Sequence, residues 1–243
     1  MRILIIADIH GNLVALESVL SAAGSVDEVW CLGDIVGYGP RPAECVERVQ
    51  VIARDVSVVG NHDWACLGRA ALESFNPIAQ YALRWTIAQL GREHLAYLEG
   101  LPNRMISGTS TVVHGSPRNP VWEYVYNAHL AAVNFSYFDT PVCFFGHTHV
   151  PFVIREQEAL HGLPPYAPRH GDRIQLAGDR YMINPGAVGQ PRDGDARAAY
   201  AIYDPDEGAV SFYRTLYPVE EVQEEMRDAG LPEPLVRRLA LGL

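Results

Sequence analysis

Short apolar runs recur along this chain, and five of them stop on residues able to hold a metal ion. Ile3-Leu4-Ile5-Ile6-Ala7 leads into Asp8-Ile9-His10, and Val29-Trp30-Cys31-Leu32 into Gly33-Asp34. Val56-Ser57-Val58-Val59 leads into Gly60-Asn61-His62-Asp63. Thr111-Val112-Val113 leads into His114-Gly115, and Val142-Cys143-Phe144-Phe145 into Gly146-His147-Thr148-His149. Uninterrupted runs of this length, rich in β-branched residues, read as strands buried on both faces. Strands are expected at 2–7, 28–32 and 55–59, with helices at 13–23 and 42–53 between them. Asn12 is placed to cap the first helix, Leu13, Leu16, Val19 and Leu20 share one face, and Gly24 ends it. Strand–helix alternation predicts parallel pairing with right-handed crossovers.

Beyond this unit, Pro77 opens a helical pattern in which Ile78, Tyr81, Trp85 and Ala88 recur on one face, and a second short helix ends near Gly100. Strands are expected at 104–107, 110–114 and 141–146, a loop at 116–126 and a helix at 127–137. Trp122, Tyr124 and Tyr126 in that loop read first as packing residues and second as a wall for a base. After His149 the pattern turns to short strands at 151–155, 172–177, 180–184, 198–203 and 209–216, read as a second, antiparallel sheet. The segment 157–171 reads as an insertion loop that could form a lid, and the last twenty-five residues as two short helices. No linker interrupts 1–243, so one domain is expected.

Composition narrows the function. The 243 residues are 48% hydrophobic and 20% charged, as in a globular protein, with a net charge of −10. A negative surface disfavours nucleic acid and anionic membranes, yet bound cations would dominate the field inside their own site. The N-terminal apolar run is too short for a signal peptide, and no run spans a bilayer. Cys31, Cys45, Cys66 and Cys143 form no Cys-x-x-Cys pair and read as buried thiols. A cytoplasmic protein is expected, without nucleic-acid or membrane partners; a homo-oligomer is compatible with all of this.

The chemistry comes from the strand ends. Residues i and i+2 leave a strand on the same side, so Asp8 with His10, and His147 with His149, can face one ion. Ligands gather beyond the carboxyl ends of parallel strands, where Asp34, Asn61 and His114 add single donors. Two carboxylates, one amide and four imidazoles, with no thiolate, suit divalent Mn, Fe, Co, Ni or Zn, with Mn foremost. Seven donors exceed the needs of one ion and fit two ions sharing a carboxylate. Two divalent ions, two carboxylates and a bridging hydroxide leave one net positive charge, a place for a phosphoryl group. His62 diverges from Asn61 toward the substrate side, where it can donate a proton to the leaving oxygen or stabilise its charge. Asp63 is placed either to orient His62 or to cap a helix. Arg192, in a Gly/Pro-rich loop, and Asn12 are candidate substrate-binding residues. His94, His129, His161 and His170 read as surface or loop residues.

These blocks, in this order, resemble the calcineurin-like metallophosphoesterase superfamily: Asp-x-His, Gly-Asp, Gly-Asn-His-Asp/Glu, His, and Gly-His-x-His. Asn184-Pro185-Gly186-Ala187-Val188-Gly189-Gln190-Pro191-Arg192 is similar to the small bacterial and archaeal phosphodiesterase branch. The resemblance implies an α/β fold, a four-layer α-β-β-α sandwich of two mixed sheets flanked by helices. It implies one metal on Asp8, His10, Asp34 and His149, another on Asp34, Asn61, His114 and His147, and His62 as the catalytic acid. Protein phosphatases of the superfamily carry an Asp and an Arg where this chain has Gly37 and Tyr38, which argues against a protein substrate. The expected activity is metal-dependent hydrolysis of phosphodiesters or small phosphorylated metabolites. The rivals are a nucleotide pyrophosphatase resembling diadenosine tetraphosphatases and a non-catalytic scaffold resembling the retromer subunit of this fold.

Overall fold

The computed structural model describes residues 1–243. Its first sheet has the order β3-β2-β1-β10-β11-β8 and its second β4-β5-β6-β9-β7. In the first, β1 (Ile3–Ile6), β2 (Glu28–Cys31) and β3 (Val56–Ser57) run parallel. The strands β10 (Ala198–Asp204), β11 (Ala209–Thr215) and β8 (Arg173–Gln175) extend it in antiparallel fashion. In the second, β5 (Ser110–Val113), β6 (Val142–Phe144) and β9 (Tyr181–Asn184) are parallel. β4 (Arg104–Ser107) and β7 (Phe152–Arg155) close its two edges antiparallel.

The layers follow from alternation along β1. Ile3 and Ile5 face the second sheet, where they join Val112, Phe144 and Ile183 in the inter-sheet core. Leu4 and Ile6 face the other way, onto α1 (Leu13–Ala23), α2 (Pro42–Ile52) and the C-terminal helices α8 (Val219–Asp228) and α9 (Glu233–Leu241). The outer face of the second sheet, with Cys143, Phe145 and Ile154, is covered by α6 (Ala128–Asn134) and α7 (Glu156–Leu160). Helices, sheet, sheet and helices are therefore the four layers expected. The remaining helices are α3 (Asn61–Cys66), α4 (Pro77–Gln89) and α5 (Arg92–Gly100).

Three readings are corrected. The strands after His149 do not form a sheet of their own: β7 and β9 enter the sheet begun by β4, while β8, β10 and β11 enlarge the first. Burial on both faces marks β9 and β10 as interior strands, but pattern alone cannot say which sheet they join. Segment 157–171 is not all loop, because α7 occupies its start and Tyr166 pairs with Val153. His94 is buried rather than superficial: its Nδ1 accepts from the Gly91 amide at 3.0 Å and its Nε2 meets Glu47 at 3.1 Å. His129, His161 and His170 are exposed as expected. All four cysteines are buried free thiols, and no helix is long and apolar enough to cross a membrane.

Candidate metal centre

The carboxyl ends of the parallel strands of both sheets lie along one edge of the sandwich, and there the five blocks meet. Asp8 and His10 follow β1, Asp34 follows β2, and Asn61 opens α3 just beyond β3. His114 follows β5, and His147 and His149 follow β6. None of these seven is more than 5% exposed. The backbone brings them together differently from a continued strand. Asp8, His10, Asp34, His147 and His149 all take positive φ, between 51° and 66°, and Tyr38 is the sole other non-glycine residue to do so. In this left-handed region the chain curls after the strand, so that residues i and i+2 turn inward together.

Each histidine is aimed by a backbone carbonyl. Nδ1 of His10 lies 3.1 Å from the Val36 oxygen, that of His114 2.8 Å from Leu32, and that of His149 2.6 Å from Gln190. His147 is held the other way round, its Nε2 3.3 Å from the Trp122 oxygen. A ring nitrogen that donates to a carbonyl leaves the opposite nitrogen as a lone pair. Those nitrogens converge. Nε2 of His10 is 3.1 Å from Nε2 of His149, and Nε2 of His114 is 3.1 Å from both Nδ1 of His147 and Oδ1 of Asn61. The neutral rings of His10 and His149 present two acceptors that cannot satisfy one another, whereas a cation beside them satisfies both; at His114 a metal ion would take the place of the proton that Asp34 holds there, so the donors fit metal ions. Asp8 Oδ1 is 3.4 Å from His149, completing one group. Asp34 Oδ2 is 3.6 Å from His10 and 3.4 Å from His114, so a single oxygen stands between the two groups. Its partner Oδ1 is occupied by the His62 amide at 2.9 Å.

Burial sets the electrostatics. It pushes the Asp8 carboxyl up to about 7 and pulls His147 down to about 3, and it lowers His10 and His149 well below the usual imidazole range. Burial also opposes the His114 cation, but the Asp34 carboxylate outweighs it and holds His114 at about 9. Burial likewise works against the Asp34 charge, which His114 and His62 nevertheless keep well below the carboxylate range.

His62 sits beside these groups, its ring 4.4 Å from that of Tyr38, 4.8 Å from His10 and 5.2 Å from Phe75. A ring nitrogen of His62 is within 4.8 Å of a ring nitrogen of His10 and a carboxylate oxygen of Asp34. Its Nδ1 is buried without a partner. No carboxylate orients it: a Cβ at Gly37, where φ is +95°, would fall 2.5 Å from that Nδ1. Asp63 does not take the orienting role either, since its carboxylate accepts from the amides of Gly60, Asp34, Ile35 and Val36 at 2.9–3.2 Å. It fastens the Gly33-Asp34 turn to the start of α3.

A cleft of about 320 Å³ opens over His62, Asn61 and His147. Arg192 lines it, with its guanidinium 5.8 Å from the centre of the Tyr38 ring. Asn12 stays outside: its oxygen caps α1 through the Ala15 amide and its nitrogen donates to Gly189. Trp122 and Tyr124 form a wall with Phe75, Tyr124 stacking on His147 at 3.8 Å, whereas Tyr126 does not line the cleft. Phe75 and Arg238 are cleft residues that no motif had marked, and Tyr38, singled out only as a departure from the protein-phosphatase pattern, lines the cleft with them.

Residues 1–208 match the model of the calcineurin-like phosphoesterase superfamily domain. The crystal structure of a metallophosphoesterase from Sphaerobacter thermophilus superposes with a TM-score of 0.95 at 63% identity, over 100% of this chain and 99% of that one. An uncharacterized protein of Methanocaldococcus jannaschii is 39% identical over 248 residues, 99% of this chain and 98% of its own. Phosphodiesterase YfcE of Escherichia coli K12 is 26% identical over 217 residues, 85% of this chain and 89% of its own.

Proposed function

The chain belongs to the calcineurin-like phosphoesterase superfamily, and from that premise we propose that residues 1–243 act as one hydrolase for phosphodiesters or small phosphorylated metabolites. Two divalent transition ions, Mn foremost, would be held by Asp8, His10, Asp34 and His149 and by Asp34, Asn61, His114 and His147. The observation that carries this reading is the single Asp34 oxygen lying within 3.6 Å of a histidine from each donor group. When bound, such a pair of ions supplies Lewis acidity and activates water for in-line attack on phosphorus.

The chain's own residues do the rest. Arg192 grips a non-bridging phosphate oxygen, replacing from the loop after β9 the arginine absent at position 38. Phe75, Trp122 and Tyr124 wall the cleft and exclude water from the leaving group. Burial pulls His62 down to about 4, so its imidazole is neutral near pH 7. Its contribution is then an N–H hydrogen bond that stabilises the charge developing on the leaving oxygen as the bond breaks. A diester is favoured over a phosphoprotein by the narrow cleft and by the phosphodiesterase among the relatives.

The test is hydrolysis of bis-p-nitrophenyl phosphate against p-nitrophenyl phosphate after removal of metal and return of Mn, Ni, Co, Zn or Mg in turn. Metal-dependent turnover that favours the diester is expected. Two ions bound with no turnover of either ester would return the chain to a scaffold role.

Metal uptake should depend on pH in a definite direction. Without metal, His114 keeps its proton up to about pH 9 and Asp8 up to about 7, and both must release it to become ligands. Affinity for Mn should therefore rise between pH 6 and 9, about tenfold per pH unit for each proton displaced. Calorimetry in buffers of contrasting protonation enthalpy counts those protons. Affinity flat across that range would contradict the assignment of His114.

A further inference from the structure

The cleft holds a second guanidinium. Arg238, on α9, lines it together with Arg192, Tyr38 and His62. Neither arginine is paired with an Asp or Glu side chain, although their neighbours are: Arg197 pairs with Asp195, Arg214 with Asp193, and Arg237 with Glu233. Arg192 donates to Gln190 Oε1 at 2.9 Å and keeps a buried Nε without a partner. Arg238 uses its Nε on the main-chain oxygen of Leu243, the last residue of the chain, which leaves its terminal nitrogens uncommitted. The two side chains are also held in place. The backbone of Arg192 is bonded to the His149 carbonyl at 3.2 Å. The end of α9 is tied to the Arg192 loop through the Gly194 amide and the Gly242 carbonyl, 2.9 Å apart.

Two like charges sharing one concave wall repel, and the proximity is unfavourable unless an anion lies between them. Burial, then Arg192, lowers the affinity of Arg238 for its proton. The two cations are not equivalent. Arg192 is felt by Asp8, His10, His62 and His149 in the metal centre, whereas Arg238 is felt by Tyr38 and itself responds to Arg192 and Tyr38. One phosphoryl group under attack at the metals would occupy Arg192 and leave Arg238 unanswered.

We infer that Arg238, with Arg192, forms a second anion seat in the cleft, so that the substrate is a phosphate ester carrying a further phosphate-type group beyond the one attacked. This rests on the cleft being the substrate site of the proposed phosphoesterase. Polar fork geometry suits the oxygens of a phosphate, and the facing Phe75–Trp122 wall suits a planar organic moiety between the two anions.

The probes are adenosine 5′-monophosphate and adenosine 3′,5′-bisphosphate, which differ by one phosphate. Each is titrated calorimetrically into the Mn-loaded protein, so the result does not depend on turnover. The wild type should bind the bisphosphate about tenfold more tightly than the monophosphate, and Arg238→Gln should bring that ratio to within about twofold of unity. Arg238→Lys, which keeps the charge, should retain part of the preference, and thermal melting confirms that each variant is folded. Arg237→Gln, which removes an exposed charge outside the cleft, should keep the full ratio. Equal binding of both probes by the wild type, or an undiminished ratio in a folded Arg238→Gln, overturns the second seat. A ratio lost equally in Arg237→Gln also overturns it, because the preference would then be general electrostatics. Loss of esterase activity in every metal with the ratio intact would instead count against the catalytic reading alone.

Discussion

Replacing His62 with alanine should lower kcat for bis-p-nitrophenyl phosphate roughly 10²- to 10⁴-fold while two ions remain bound. The ring is fixed by Tyr38, His10 and Phe75 rather than by a hydrogen bond. An unpartnered buried lone pair is cheaper than an unpartnered buried N–H, so the orphaned Nδ1 assigns the proton to Nε2, the nitrogen available to a leaving group. Because the imidazole is neutral, its effect must grow with the charge that develops on that oxygen. The defect should accordingly be larger for diphenyl phosphate, a poorer leaving group, than for the nitrophenyl ester. Equal defects on both esters would remove His62 from the leaving-group side. Loss of one bound ion in the variant would make it a ligand instead, a role its distance from His10 and Asp34 permits.

The second large effect falls on stability. Asp63→Ala removes the acceptor of four backbone amides, those of Gly60, Asp34, Ile35 and Val36. Stranding several buried donors should cost about 4 kcal/mol. In a chain of this size that corresponds to about 10 °C in the melting temperature of the metal-free protein. Activity should fall too, since the same amides set the turn that presents Asp34. A melting point within about 2 °C of wild type would mean that water or a relaxed turn replaces the carboxylate.

The proposed metal donors could be picked out in the sequence because each lies at the end of an apolar run, where a strand must stop and chemistry can begin. His147 and His149 were recognisable as a pair, although the left-handed backbone that turns them inward left no mark in their identity. Asp63 looked equally suited to steering His62, and only the direction of its carboxylate separates that role from fastening a turn. The rest of the cleft was hidden for a different reason. Tyr38, Phe75 and Arg238 join Trp122 and Arg192 there from separate segments, and no local periodicity joins a residue of the last helix to one that follows β2. The sheet assignment failed on the same ground: β9 is as apolar as any interior strand, and its parallel partner β6 lies across an intervening hairpin-like excursion through β7. His94 was misread because a histidine can cap the turn that begins its own helix, a use of the side chain that carries no hydrophobic signature.

Six non-glycine residues with positive φ stand where the chain surrounds its proposed metals, and none stands elsewhere. Each such residue costs on the order of 1 kcal/mol, and glycine or asparagine would relieve much of it. The protein is therefore held away from its own stability optimum by the residues proposed to give it chemistry. In a lineage released from selection for hydrolysis, substitutions at these positions would be favoured for folding as well as tolerated for function. Loss would proceed downhill and quickly. Recovery would require several destabilising changes at once before any activity returned to reward them. Loss of the proposed activity would thus be easier for this chain than its recovery.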